Sequence, residues 1–254
     1  VSKTAVTESY VRGGDVTYVI SAVNSGSTPL TGVSITDDLG GYTFGSGTLY
    51  PLAYVDGSVR VYVNGVLQTS SPTVVEGPPI VFSGLTVPAS GNLMLIYEAR
   101  VNQFAPLGAD DSIVNTAAVT ASGITAPSTA SATVTPDASG ALTITKSIDP
   151  VSVTENGTVT YTFIIQNYGS GAATAEDEVS VRDTFNPILS DISVSLNETA
   201  LAVTEGYTYD QATGTFVTVP GVITVPAATF VRDTATGAWT VTPGVTRLTV
   251  TGTL

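Results

Sequence analysis

Cysteine and histidine are both absent from this chain of 254 residues, and lysine occurs only twice, at Lys3 and Lys146. Without cysteine there are no disulfides, thiolate metal sites or thiol nucleophiles. Without histidine there is no Ser-His-Asp triad. Charge is scarce as well: 11% of residues carry it, and the net value of −13 shows that acid dominates. Such a chain has no basic stripe for a nucleic acid backbone or an anionic membrane surface. No apolar run is long enough to span a bilayer, so membrane insertion is not expected. No Gly-rich phosphate loop or pair of catalytic carboxylates can be assigned. The expectation is a chain that is not an enzyme in the ordinary sense and needs no cofactor or metal.

What is present is β-forming. Nearly every segment alternates with period two, is rich in Val, Thr, Ile and Tyr, and is cut off by Gly, Pro, Asn or Asp, the pattern of an all-β sandwich. No segment keeps helical periodicity for three turns. Asn64-Gly65 reads as a tight hairpin turn of the primed type, and Asp210–Gly214 and Asp233–Gly237 as two hairpin tips of one design. The composition suits an exposed exterior with nothing easily oxidised, and points to a bacterial cell surface. A start at Val1 instead of Met reads as a processed product or an excised piece.

The chain also repeats itself. Val1–Ala5 returns as Ile144–Ile148, so that both lysines open a unit. Asp15-Val16-Thr17-Tyr18 lines up with Thr158-Val159-Thr160-Tyr161, and Asn24-Ser25-Gly26 with Asn167-Tyr168-Gly169, at the same offset of 143 that separates the lysines. Val33–Asp37 matches Val179–Asp183 after a short insertion, and Gly91–Leu95 answers Gly244–Leu248. Two tandem immunoglobulin-like β-sandwich domains are expected, 1–138 and 139–254. Ile113–Ala121 and Ser128–Thr135 close the first. By the late alignment Leu254 corresponds to Val101, so the second copy is C-terminally incomplete and lacks both closing strands.

Residues two apart on a strand share a face. Val1, Lys3 and Ala5 therefore point one way, as do Leu142, Ile144, Lys146 and Ile148. The same parity puts Asp37 with Val33 and Ile35, Asp183 with Val181 and Phe185, and Asn115 with Ile113, Ala117 and Val119. Lone polar groups on inward faces are costly unless they satisfy one another, so Lys3, Asp37 and Asn115 are expected to meet. Glu98 is a second candidate acid, ranked lower because its equivalent in the second copy is Thr251. Asp37-Asp38 and Asp110-Asp111 lack the ligand spacing of a calcium loop and read as solvated turns. Tyr42, Phe44, Tyr50 and Tyr54 form an aromatic cluster, read as core packing ahead of a ligand-facing surface.

The opening lysine, Gly-x-Val-Thr-Tyr, Val-x-Asp and Asn-Thr-Ala together resemble the conserved-repeat domain of unknown function found in tandem on bacterial surface proteins. The order Lys3, Asp37, Asn115 also resembles the triad of collagen-adhesin-type domains. That likeness implies an intramolecular Lys–Asn isopeptide bond, with lysine on the first strand, the acid some tens of residues later and asparagine on the last strand. Burial disfavours charge on both lysine and acid. The neutral amine can then attack an amide polarised by the protonated acid, releasing ammonia once. The second copy supplies Lys146 and Asp183 but no asparagine in the required place.

Function follows as a set of expectations. The first is a structural module, a stalk or filament subunit stabilised by the self-formed bond. The alternative is an adhesin module with a host protein or glycan as ligand. Neighbouring repeats or subunits are the expected partners, either through chain that continues past Leu254 or through a strand donated to domain two.

Overall fold

The computed structural model describes residues 1–108, 110–137 and 142–254. Apart from the three-residue 3-10 turn Ala175–Asp177, every described element is a strand, and the chain is all-β. It divides into two compact units, the first made of Val1–Asp137 together with Val231–Thr240 and the second of the remainder. The boundary expected at 138/139 lies outside the described residues. The assignment of Val231–Thr240 to the first unit departs from the sequence division. Within that unit the Arg232 guanidinium lies 4.9 Å and 4.5 Å from the ring centres of Tyr42 and Phe44, close enough for cation–π attraction. Part of the aromatic cluster is thus covered by a segment distant in sequence, which strand periodicity does not report.

In the first unit two sheets face each other. One runs in the order Ser2–Ala5, Asp15–Asn24, Gly91–Val101, Arg60–Val63, Val66–Leu67, with Leu52–Tyr54 also paired to Gly91–Val101. The other runs Thr73–Val75, Ile80–Val87, Leu30–Asp37, Ile113–Thr120, Ser128–Pro136, Ser9–Tyr10. All these pairings are antiparallel except the parallel contact of Ser9–Tyr10 with Ser128–Pro136. The expected closing strands are present, side by side. Alternation does the folding work: Val16, Tyr18, Ile20 and Ala22 are buried opposite Ala99, Tyr97, Leu95 and Leu93. Each large side chain sealed in this way contributes about 1.5–3 kcal/mol.

The second unit repeats the plan around Val159, Phe163, Ile165, Phe185, Phe216, Leu248 and Val250. Its larger sheet runs Leu142–Asp149, Thr158–Asn167, Gly244–Thr253, Ser190–Leu196, Thr199–Ala200; the facing sheet runs Arg182–Thr184, Thr215–Thr218, Tyr207–Asp210. Here the copies diverge. In the first unit Leu30–Asp37 is flanked by Ile80–Val87 and by Ile113–Thr120. Arg182–Thr184 pairs only with Thr215–Thr218 among the described residues. The Leu142–Asp149 strand forms in register with Thr158–Asn167, yet all eight of its residues are exposed.

Two repeated sequence features turn out to hold loops. Asn24 donates from Nδ2 to the carbonyls of Thr28 (2.8 Å) and Pro88 (2.9 Å), and its Oδ1 accepts from the Gly26 amide. Asn167 does the same with the Gly171 carbonyl (2.7 Å) and the Gly169 amide (2.9 Å). The repeated glycine marks close backbone approach. A Cβ on Gly91 would lie 3.2 Å from the Pro88 carbonyl oxygen, and one on Gly244 would collide with that of Pro226. Gly244→Ala is therefore expected to destabilise the second unit by about 3 kcal/mol, the upper range for overpacking. Urea denaturation reads this directly, and an unchanged midpoint would contradict the contact.

Candidate functional site: a sealed lysine, carboxylate and amide

Lys3 sits on the inner face of its sheet because Ser2–Ala5 pairs with Asp15–Asn24 so that Lys3 lies opposite Ile20. Its Nζ donates to Asp37 Oδ2 at 2.6 Å, and both side chains are closed to solvent. Asp37 ends the Leu30–Asp37 strand, where its Oδ1 accepts the Leu39 amide at 3.1 Å. Ala117 lies opposite Asp37 in the neighbouring strand. Asn115, two residues earlier, therefore occupies the adjacent inward position, and it is fully buried. The next residues lock this alignment: Asp38 Oδ1 accepts the Thr116 amide at 2.8 Å, and the Asp38 amide donates to the Thr116 carbonyl. Asp38, one of the acids of the solvated-turn reading, thus fixes the strand ends.

Two tyrosines complete the site, and the sequence reading assigned them no role. The Lys3 Nζ stands 4.8 Å from the Tyr18 ring centre. Tyr97, directly across from Tyr18, stacks on it at 5.6 Å. Its Oη accepts a hydrogen bond of 3.0 Å from Asn115 Nδ2. Asn115 Oδ1 and the Tyr18 hydroxyl are buried and have no hydrogen-bond partner among the described residues. The signal was available: Leu93, Leu95 and Tyr97 alternate inward as Val16, Tyr18 and Ile20 do. The same parity corrects Glu98. It is exposed on the outer face of its strand, one residue out of phase with the site, and cannot serve as the buried acid.

Burial governs the electrostatics. Desolvation pushes the Lys3 amine below its ordinary value, while the charge of Asp37 and its hydrogen bond pull back up. Desolvation also pushes the Tyr97 hydroxyl well up, and Asp37, as a neighbouring charge and hydrogen-bond acceptor, raises it further. Tyr18 is raised by burial too, with the Asn115 amide opposing. The site can therefore keep phenolic protons in place and render the lysine nucleophilic.

In the second unit Lys146 forms an ion pair with Asp183. Its Nζ lies over the rings of Tyr161 (4.5 Å), Phe185 (5.2 Å) and Phe163 (5.6 Å). The direction is as parity required, but the expected burial is not: the Lys146 side chain is 38% exposed. The reason is local, since Ile144 and Ile148 on either side are uncovered as well. Tyr161 holds the place of Tyr18, and Val250, across from Tyr161, holds that of Tyr97.

No protein-family model matches the chain, and no curated protein matches it by sequence. Among solved structures it is similar to the collagen-binding domain of a Staphylococcus aureus adhesin, at 13% identity and a TM-score of 0.34, over 52% of this chain and 94% of that one. It is also similar to a group B streptococcus pilus 2b backbone protein, at 12% identity and a TM-score of 0.39, over 95% of this chain and 79% of that one. BcpA, the major pilin subunit of Bacillus cereus, gives 13% identity and a TM-score of 0.37, over 93% of this chain and 61% of that one. At these values no residue role carries over.

Proposed function

We propose that the chain is a structural module of a bacterial cell surface, a stalk or filament subunit whose first unit is closed by a self-formed amide between Lys3 and Asn115. The observation that carries this reading is the sealed Lys3–Asp37 pair with Asn115 at the adjacent inward position. Lys3 passes a proton to Asp37 along their hydrogen bond, leaving a neutral amine and a neutral acid. The amine nitrogen attacks Asn115 Cγ, the bond from Cγ to Nδ2 breaks, and one ammonia leaves. Each amide forms once, so the chain consumes its own side chain and turns over no external substrate. The intact mass of the purified chain tests this. It should fall below the sequence mass by one ammonia, with Lys3 and Asn115 in one linked peptide; the full sequence mass would sink the reading.

The second unit supports a proposal about partners. The edge of Arg182–Thr184 that has no strand beside it among the described residues and the uncovered Leu142, Ile144 and Ile148 fit a strand donated by a neighbouring subunit. An edge of this kind pairs with any strand of matching pattern, so size-exclusion of the full chain is expected to show concentration-dependent assembly. A folded chain that stays monomeric at every concentration would count against donation.

A further inference from the structure

We propose that Tyr97 is a catalytic residue of the Lys3–Asn115 reaction: its hydroxyl protonates the departing amide nitrogen and is itself reprotonated from Asp37. This rests on the amide-bond reading above and assigns the step that reading leaves open. An amide nitrogen does not leave as an anion, so Nδ2 must gain a proton before its bond to Cγ breaks. The site is closed to solvent, and the group in contact with Nδ2 is the Tyr97 hydroxyl at 3.0 Å. In the resting amide the nitrogen donates to the phenol. Once Lys3 adds to Cγ, Nδ2 becomes pyramidal and carries a lone pair, and the same contact runs in reverse.

The protons balance along this route. Lys3 has given one to Asp37, and attack leaves a cationic amine nitrogen and an anionic Oδ1 on one carbon. Tyr97 donates to Nδ2, and Asp37 restores the phenol and returns to a carboxylate. The C–N bond breaks as Oδ1 re-forms the carbonyl, and neutral ammonia departs. Asp37 then takes the surplus proton from the new amide nitrogen, so net charge is unchanged throughout.

Two further observations point the same way. The Tyr97 ring is held between Tyr18 at 5.6 Å and Phe82 at 5.4 Å, so its hydroxyl is fixed by packing. The two copies also differ where the role demands it. The second keeps a tyrosine at the Tyr18 place, Tyr161, but has Val250 at the Tyr97 place, and among its described residues no strand supplies an amide beside Asp183. The phenol is found in the unit that has a nitrogen to expel.

The experiment follows the mass of the full chain over time after dilution from denaturant, starting from material that still has the full sequence mass. Tyr97→Phe should slow the loss of ammonia about a hundredfold or more, the usual scale for general acid catalysis, while Tyr54→Phe, which removes the hydroxyl of a tyrosine packed 6.3 Å from the Tyr97 ring, stays near the wild-type rate. Fluorinated tyrosine at position 97 should change the rate with the acidity of the phenol, which a packing role would not do. A Tyr97→Phe rate equal to wild type, equal slowing in both variants, or a rate indifferent to phenol acidity would each overturn the role of Tyr97 alone. A wild-type chain that never loses ammonia would overturn the amide-bond reading, and this one with it.

Discussion

Asn115→Ala in the full chain is expected to restore the full sequence mass and to lower the melting temperature of the first unit by roughly 10–20 °C. This substitution is the cleanest way to remove the bond, because it leaves the Lys3–Asp37 pair intact. The amide would join residue 3 to residue 115, enclosing 112 residues. In the chain-entropy account, closing a loop near 100 residues restricts the unfolded ensemble by about 4.7 kcal/mol, an amount that native strain reduces. Truncating residue 115 also removes the linked amide that faces Tyr97, since the Nδ2 that makes this contact before the reaction has left as ammonia, and with it at most one hydrogen bond of about 1 kcal/mol. The two contributions separate by experiment. Tyr97→Phe material that has finished cross-linking lacks the hydroxyl but keeps the loop, and should melt close to wild type. A difference between wild type and Asn115→Ala no larger than one hydrogen bond would show that no loop had been closed.

Much of this was legible in the sequence, and the reasons are specific. Period-two alternation in Asp15–Asn24 and Gly91–Val101 gave both the strands and the face each residue takes. The repeat then aligned Lys3 with Lys146 and Asp37 with Asp183 without any structure. Parity sufficed for Lys3, Asp37 and Asn115 because each lies in a strand long enough to show its phase. In Gly91–Val101 the same phase turns Tyr97 inward and Glu98 outward, but a tyrosine on an inward face reads as ordinary core, so its hydroxyl gives no sign of a role in the sequence. The exposure of Lys146 was harder to see. Parity says which way a side chain points, but coverage depends on whether a strand lies over it. The place of Val231–Thr240 in the first unit was invisible for a similar reason: it rests on Arg232 meeting Tyr42 and Phe44, and no local pattern encodes that contact.

The largest loss of stability is expected from Asp37→Ala. The variant cannot cross-link, so it forfeits what Asn115→Ala forfeits, and it also leaves the Lys3 ammonium sealed from solvent with no counter-charge. Breaking a buried pair on one side costs about 3–5 kcal/mol. Added to the missing loop, that rivals the whole stability of an ordinary domain, and the first unit should be largely unfolded at neutral pH. The pH dependence identifies the cause. Burial already depresses the Lys3 amine, and removing Asp37 takes away the main influence that raises it. With the folded value below the unfolded one, near 10.4, the unfolded chain binds more protons between the two values. Stability should therefore rise with pH through that window and be lowest below it. Lys3→Met combined with Asp37→Leu removes both charges, and should recover most of the folded signal and lose the pH dependence, as hydrophobic replacement of buried pairs generally does. If Asp37→Ala instead melts where Asn115→Ala melts at every pH, Lys3 is not held by Asp37, and the chemistry built on that pair has no starting point.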